Sequence, residues 1–93
     1  MTFEWDEAKN KINLKKHGID FTEAQTVFYD ENGILFDDPE HSTDEERFII
    51  IGKSIRSNIC IVCHCYRQKD EVIRIISARK ATKNEVNRYA KGI

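Results

Sequence analysis

Proline, glycine and long apolar runs are scarce in this chain. One proline and four glycines stand among 93 residues, no segment is low in complexity, and no internal repeat occurs. No apolar run approaches the roughly 18 residues that a bilayer-spanning helix needs. The N-terminus also lacks the charged-then-apolar pattern of an export signal. These absences argue against repeat and membrane-spanning architectures and make the cytoplasm the expected location. Lysine and arginine are missing altogether between residues 20 and 46. What remains is 40% apolar and 33% charged, the balance of a globular chain with one modest core. A single domain over residues 1–93 is expected.

The net charge of −1 hides a strong segregation. Residues 1–19 carry four lysines against three acids, residues 20–46 carry ten acids, and residues 47–93 carry eleven Lys and Arg against three acids. A basic C-terminal half can form an electrostatic footprint for phosphates. The acidic stretch can either fold back onto it or face a basic partner.

Local signals predict an α+β chain: two N-terminal helices, an antiparallel β-meander of about four strands, and a C-terminal helix. Phe3 to Trp5 suits a short leading strand. The first helix runs from an Asp6 cap, through cationic residues in its last turn, to Gly18 as a left-handed stop. Thr22 with Gln25 reads as a capping box for a second helix to about Tyr29, with Phe21 as its staple and Ala24, Val27 and Phe28 buried. Ile34 to Phe36 suits a short strand, and Asp37 to Asp44 a loop. Three longer strands follow, at Glu46 to Lys53, Asn58 to Arg67 and Glu71 to Arg79, joined by short polar connectors. Their near-continuous apolar runs suggest a sheet covered on both faces. Thr82 and Glu85 form a capping box for a last helix to about Lys91.

On the first helix Lys9, Asn13, Lys16 and His17 stand at i, i+4, i+7 and i+8 and share one face. An amine, an amide and an imidazole in line can hold a phosphate and move a proton; a solvated face is the plainer alternative.

Cys60-Ile61-Val62-Cys63-His64 matches the C-x-x-C-H pattern of haem attachment. On an apolar strand, however, residues 60 and 63 point to opposite faces. His17 and His41 are not at zinc-finger spacing from Cys63 and Cys65. Three cysteines therefore read as reduced, core-filling thiols, with no metal and no cofactor.

Arg67, Arg74 and Arg79 lie on the last two strands. Strict alternation puts Arg79 and Ser77 on one face with Ile73 and Ile75. A guanidinium in line with an apolar face needs either a carboxylate such as Glu46 or Glu85, or a phosphate, whose oxygens its planar fork matches.

Trp5 to Gly18 (W-D-x-x-K-x-x-x-N-x-x-K-H-G), Phe21 to Ala24 (F-x-E-A), Glu45 to Gly52 (E-E-R-F-I-x-I-G) and Arg74 to Ala81 (R-I-I-S-A-R-x-A) resemble the BrnT family. Asp38 to Ser42 (D-P-x-H-S) and Glu85 with Arg88-Tyr89 fit as well, so the resemblance covers nearly the whole chain. Cys60 to Tyr66 departs from the family's Val-rich pattern, a departure expected to touch core packing alone. The resemblance implies a toxin of a type II toxin–antitoxin system with a RelE-like ribonuclease fold. It implies RNA cleavage that arrests translation, and a ribbon-helix-helix antitoxin forming a hetero-oligomer with the toxin. Operator DNA would be bound only through that complex, which represses its own operon.

A metal-independent ribonuclease needs a base for the 2′-hydroxyl, cations for the phosphorane and an acid for the departing 5′-oxygen. His17 can serve as base or acid. Lys9 is an alternative base or a phosphate contact. Arg67 and Arg79 are the expected transition-state cations, and Glu46 a residue that orients an arginine. Asn13, Lys16, Arg74, Lys80 and Trp5 are expected RNA contacts, Trp5 by stacking on a base, though core packing would also account for it. His41 competes with His17 but sits on an acidic loop. Ser77 has no base in reach for nucleophilic catalysis. The alternative is a non-catalytic module acting only as corepressor with its antitoxin, which the acidic segment would favour.

Overall fold

The computed structural model describes residues 1–42 and 44–92. Thr43, inside the predicted loop, and Ile93 lie outside the described residues. Strand β1 (Thr2–Glu4) leads into helix α1 (Glu7–His17), helix α2 (Phe21–Thr26) and a 3-10 turn at Val27–Tyr29. Strand β2 (Ile34–Asp37) and a second 3-10 turn (Pro39–His41) follow. Strands β3 (Phe48–Lys53), β4 (Ile59–Arg67) and β5 (Val72–Lys80) then precede helix α3 (Lys83–Lys91).

The helix ends follow local chemistry. Asp6 accepts from the N–H groups of Ala8 (2.9 Å) and Lys9 (3.2 Å), and Gly18 closes α1 at φ 73°. Thr82 and Glu85 make the reciprocal box expected at α3. The second helix departs from expectation. Its cap is Asp20, which accepts from the Glu23 N–H at 2.7 Å, so Thr22 already lies inside the helix. An aspartate two residues upstream supplies the better acceptor, and Phe21 becomes a fully buried first-turn residue.

The sheet has the order β1-β5-β4-β3-β2. Strands β2 to β5 form the antiparallel meander, and β1 adds a fifth strand, parallel to the first part of β5. On one face Ile19, Phe21, Ala24 and Val27 pack against Ile50, Cys60, Val62, Ile75 and Ala78. His64 belongs to the same face. Its ring is fully buried, edge-on to Phe28 at 4.7 Å and tilted against Phe48 at 6.1 Å. The His64 nitrogens meet Val62 O at 3.1 Å and the Tyr66 hydroxyl at 3.3 Å, and burial pushes the imidazole pKa down. The cysteine-rich stretch thus does fill the core, through Cys60 and Cys65.

Strand β5 contains the feature that decides the site. Cys63 is paired with Ser77 and His64 with Ile75, so Ile76 has no partner in β4. This bulge shifts the alternation by one residue. Ile75 and Ala78 both face the helices, whereas Ser77 and Arg79 turn to the opposite face. Strict alternation had grouped Arg79 with Ile73 and Ile75, and the bulge overturns that grouping.

Beyond the stretch covered by β1, the edge of β5 is closed by a side chain. Asn13 Nδ2 donates to Ala78 O and to Ile19 O, each at 2.8 Å, and Asn13 Oδ1 accepts from the Ala78 N–H at 3.1 Å. The amide reproduces the donor and acceptor of a missing neighbouring strand. Helix α1 is thereby tied to the sheet edge, with His17 at its C-terminal end.

The acidic segment folds back in part. Glu23 accepts from Ser54 Oγ (2.6 Å) and Asn58 Nδ2 (2.7 Å), and Glu45 meets Arg67 at 3.3 Å. Asp30 accepts from the Tyr89 hydroxyl at 2.6 Å and the Lys53 N–H at 2.7 Å. Slight burial would raise the Asp30 pKa, but these hydrogen bonds prevail and lower it. Glu31, Asp37, Glu40, Asp44 and Glu46 remain exposed.

Candidate active site

The sheet face opposite the main core carries an open cleft of about 220 Å³. Ile49, Ile61 and Cys63 contribute to its wall from β3 and β4, and Ser77 and Arg79 from β5. His17 reaches it from the end of α1, and Asp38, His41 and Arg47 from the segment before β3.

His41 is held by Asp38. Its Nδ1 lies 3.0 Å and 3.1 Å from the two carboxylate oxygens of Asp38, whose side chain is 9% exposed against 62% for the imidazole. A carboxylate at Nδ1 selects the tautomer protonated there and leaves the Nε2 lone pair free. The single turn Pro39–His41 creates this contact by bringing residues three apart together. Ser42 Oγ donates to Asp38 O (2.7 Å) and accepts from the Arg47 N–H (2.9 Å), while the Asp38 N–H donates to Arg47 O (2.9 Å). Cys63 Sγ donates to Asp38 Oδ2 at 3.7 Å. Burial, reinforced by the charge of Asp38, pushes this thiol up to about 11. Cys63 is therefore a neutral donor in the cleft wall, where core packing alone had been expected.

Arg79 is held by Glu85. The two guanidinium termini meet the two carboxylate oxygens at 2.7 Å and 2.9 Å, and Glu85 simultaneously accepts from the Thr82 N–H at 2.8 Å. Of the carboxylates considered from sequence, Glu85 is the partner and Glu46 is not. The hydrogen bonds from Arg79 hold the Glu85 carboxyl down to about 2, against the opposing effect of burial, and keep the Arg79 pKa raised. A depressed carboxyl contributes stability above its unfolded pKa of 4.5 and loses it as pH falls towards 2. Because the Arg79 and Glu85 side chains are 41% and 27% exposed, solvent screening limits that contribution to about 1–2 kcal/mol. Thermal melts at pH 6 and pH 2.5 should show wild type losing more stability across this window than Glu85→Gln. Equal losses would deny the pair that role.

The other expected site residues divide. Lys9, Asn13, Lys16 and His17 line a groove with Ile76 and Ser77, and that groove meets the cleft at His17 and Ser77. Lys9 and Lys16 are exposed, whereas Asn13 is 6% exposed and its amide is committed to the backbone. Arg67 is not brought to Arg79. Arg67 opposes Val72 and Arg79 opposes Ile61, so six residues of β4, about 20 Å at the rise of a strand, separate them. Arg67 pairs with Glu45, and Arg74 with Glu4 at 2.7 Å. Glu46 lies outside the cleft, in a hollow with Glu45, Phe48, Tyr66 and Asp70. Trp5 packs edge-on against Phe21 at 6.0 Å and donates its indole N–H to Glu7 at 3.1 Å. Lys80 is exposed at the end of β5.

Sequence reasoning missed Asp38 as the partner of His41 and Arg47 as part of the cleft. The Asp-Pro-Glu-His spacing was a usable signal for the first, since one 3-10 turn spans it. For Arg47 the signal was its place in the Glu45 to Gly52 stretch that carries the family resemblance. Among the described residues no group of three His, Cys, Asp or Glu side chains could hold a metal ion. No helix among them is long and apolar enough to cross a membrane.

Imidazoles that can exchange protons and arginines that bind anionic oxygens, gathered on the open face of a small α+β sheet, define a protein suited to phosphodiester chemistry. The family model for the ribonuclease toxin BrnT of type II toxin–antitoxin systems matches residues 5–85, and the chain belongs to that family. The structure is similar to the 1.1 Å crystal structure of the Brucella abortus ribonuclease toxin BrnT, with a TM-score of 0.67. That match is 27% identical and covers 89% of this chain and 99% of the other. No curated protein sequence matches the chain. Membership of a type II toxin family implies an antitoxin partner.

Proposed function

We propose that this chain is a metal-independent endoribonuclease that cleaves RNA in the cleft between His17 and His41 and so arrests translation in the cytoplasm. The observation that carries this reading is the Asp38–His41 pair sharing one cleft with His17 and Arg79. His41 Nε2 accepts the proton of the 2′-hydroxyl, and the freed oxygen attacks phosphorus. The bond from phosphorus to the 5′-oxygen breaks, and protonated His17 delivers a proton to that oxygen. The products are a 2′,3′-cyclic phosphate and a 5′-hydroxyl. Arg79, braced by Glu85, stabilises charge on the phosphorane. Lys9 and Lys16 hold flanking phosphates in the adjoining groove.

A ribbon-helix-helix antitoxin neutralises the toxin in a hetero-oligomer, and operator DNA is bound only through that complex, which represses the operon. The exposed acids Glu31, Asp37, Glu40, Asp44 and Glu46 suit a basic segment of such a partner. They equally suit a non-catalytic corepressor, and one assay separates the two. Purified protein with a synthetic oligoribonucleotide in EDTA should yield cyclic-phosphate ends, and a 2′-deoxy residue at the cut position should block the reaction. Loss of activity in EDTA would overturn metal independence. Folded protein that binds its antitoxin but cuts no RNA would establish the corepressor.

A further inference from the structure

Among the described residues Arg47 is the arginine of the cleft that has no carboxylate partner. Its backbone is locked into the Asp38–Ser42 segment by two hydrogen bonds, which fixes where its side chain starts. The side chain lines the cleft beside Asp38, His41, Ile49 and Cys63. The guanidinium Nε is buried and has no hydrogen-bond partner among the described residues. Among those residues no carboxylate lies within 4.0 Å of Arg47, whereas Arg67, Arg74 and Arg79 are each ion-paired. The nearby Asp38 carboxylate is already engaged by His41 and Cys63.

An orphaned N–H in a wall shared with isoleucines is costly, because burial removes water without supplying an acceptor. An anion entering the cleft supplies it. A guanidinium offers its Nε–H and an adjacent terminal N–H as a side-on fork, whose spacing fits two oxygens on one phosphorus. The position beside His41 is where a phosphate must lie if the neighbouring 2′-hydroxyl is to reach His41 Nε2.

We propose that Arg47 seats the scissile phosphodiester, with its side-on fork on the two non-bridging oxygens. It takes the part that sequence had assigned to Arg67. The anion seat stands on the unpartnered Arg47 Nε–H and the lack of an ion-paired carboxylate among the described residues, and its identification with the scissile phosphate rests on the ribonuclease reading above.

Two measurements separate these layers. In the first, inorganic phosphate at constant ionic strength should raise the melting temperature of wild type through linkage. Arg47→Gln should abolish the rise, and Arg47→Lys, which keeps the charge but loses the fork, should retain only part of it. A rise as large in Arg47→Gln as in wild type, or none in wild type, overturns the seat. In the second, the oligoribonucleotide carries a phosphorothioate at the cut linkage. Wild type should discriminate between the two diastereomers. Arg47→Gln should cut about 10²-fold more slowly, by analogy with the loss of one charge-stabilising donor, and lose that discrimination. If Arg47→Gln keeps both rate and discrimination, the phosphate lies elsewhere. Wild type that cuts no RNA yet shows the Arg47-dependent phosphate response retains the anion seat and overturns the ribonuclease reading. Should Arg47→Gln fail to fold, Arg47→Lys carries both measurements.

Discussion

His41→Ala is expected to slow RNA cleavage by about 10²–10⁴-fold, the range for removal of a general base. The imidazole is 62% exposed, but its removal takes a hydrogen-bond partner from the buried Asp38 carboxylate, so folding stability should fall by about 1–2 kcal/mol, too little to unfold the domain. Initial rates on an oligoribonucleotide, set beside thermal melts of the same preparations, test both halves of this statement. Asp38→Asn sharpens the test. An asparagine can present its N–H₂ to Nδ1, which would favour the tautomer with the proton on Nε2 and leave no base facing the substrate. A fall comparable to that of His41→Ala is expected. Cleavage within about threefold of wild type in both variants would remove His41 from the reaction and return the proton transfer to His17 or Lys9.

The largest effect on stability should come from Asn13→Leu, a substitution of similar size in a helix interior. It removes three hydrogen bonds and leaves the Ala78 N–H, the Ala78 carbonyl and the Ile19 carbonyl without partners. At about 1–3 kcal/mol for each of these three buried unsatisfied groups, the cost is about 3–9 kcal/mol. That is a large share of the roughly 5–14 kcal/mol that a domain of this length possesses. Urea unfolding should show the loss, and the melting temperature should fall by about 15 °C or more. Lys16→Ala on the same helix, at an exposed position, should shift stability by less than about 0.5 kcal/mol. A loss below about 1 kcal/mol in Asn13→Leu would mean that water or a neighbouring group takes over the edge of β5.

Features that depend on residues a few positions apart were legible without the fold. Asp6, Gly18 and the Thr82–Glu85 box mark helix ends because their hydrogen bonds close within one turn. Apolar runs marked β3, β4 and β5, but the cover expected on both faces is present on the helical face, while the opposite face carries the open cleft. Placing Cys60 and Cys63 on opposite faces followed from the period of a strand, and it held: Cys60 fills the core and Cys63 lines the cleft. The cap of α2 was misplaced. Thr22 was expected there, but the acceptor that reaches the Glu23 N–H in the folded geometry is Asp20.

By itself the sequence determined the element order, the α+β class, the family and the stock of proton carriers and cations. Tertiary structure decided which of these meet. One unpaired residue at Ile76 transfers Ser77 and Arg79 to the open face, a change with no signature in the period of the strand. Strand length keeps Arg67 away from Arg79, and a single turn of 3-10 helix brings Asp38 and His41 into hydrogen-bond contact. Asn13, on the same helical stripe as Lys9 and His17, proves to be a tie to the sheet because the edge of β5 had donors and acceptors to satisfy. The physical reason is range. Contacts within a turn are specified by spacing along the chain, whereas contacts across a sheet depend on a register that one inserted residue can reverse.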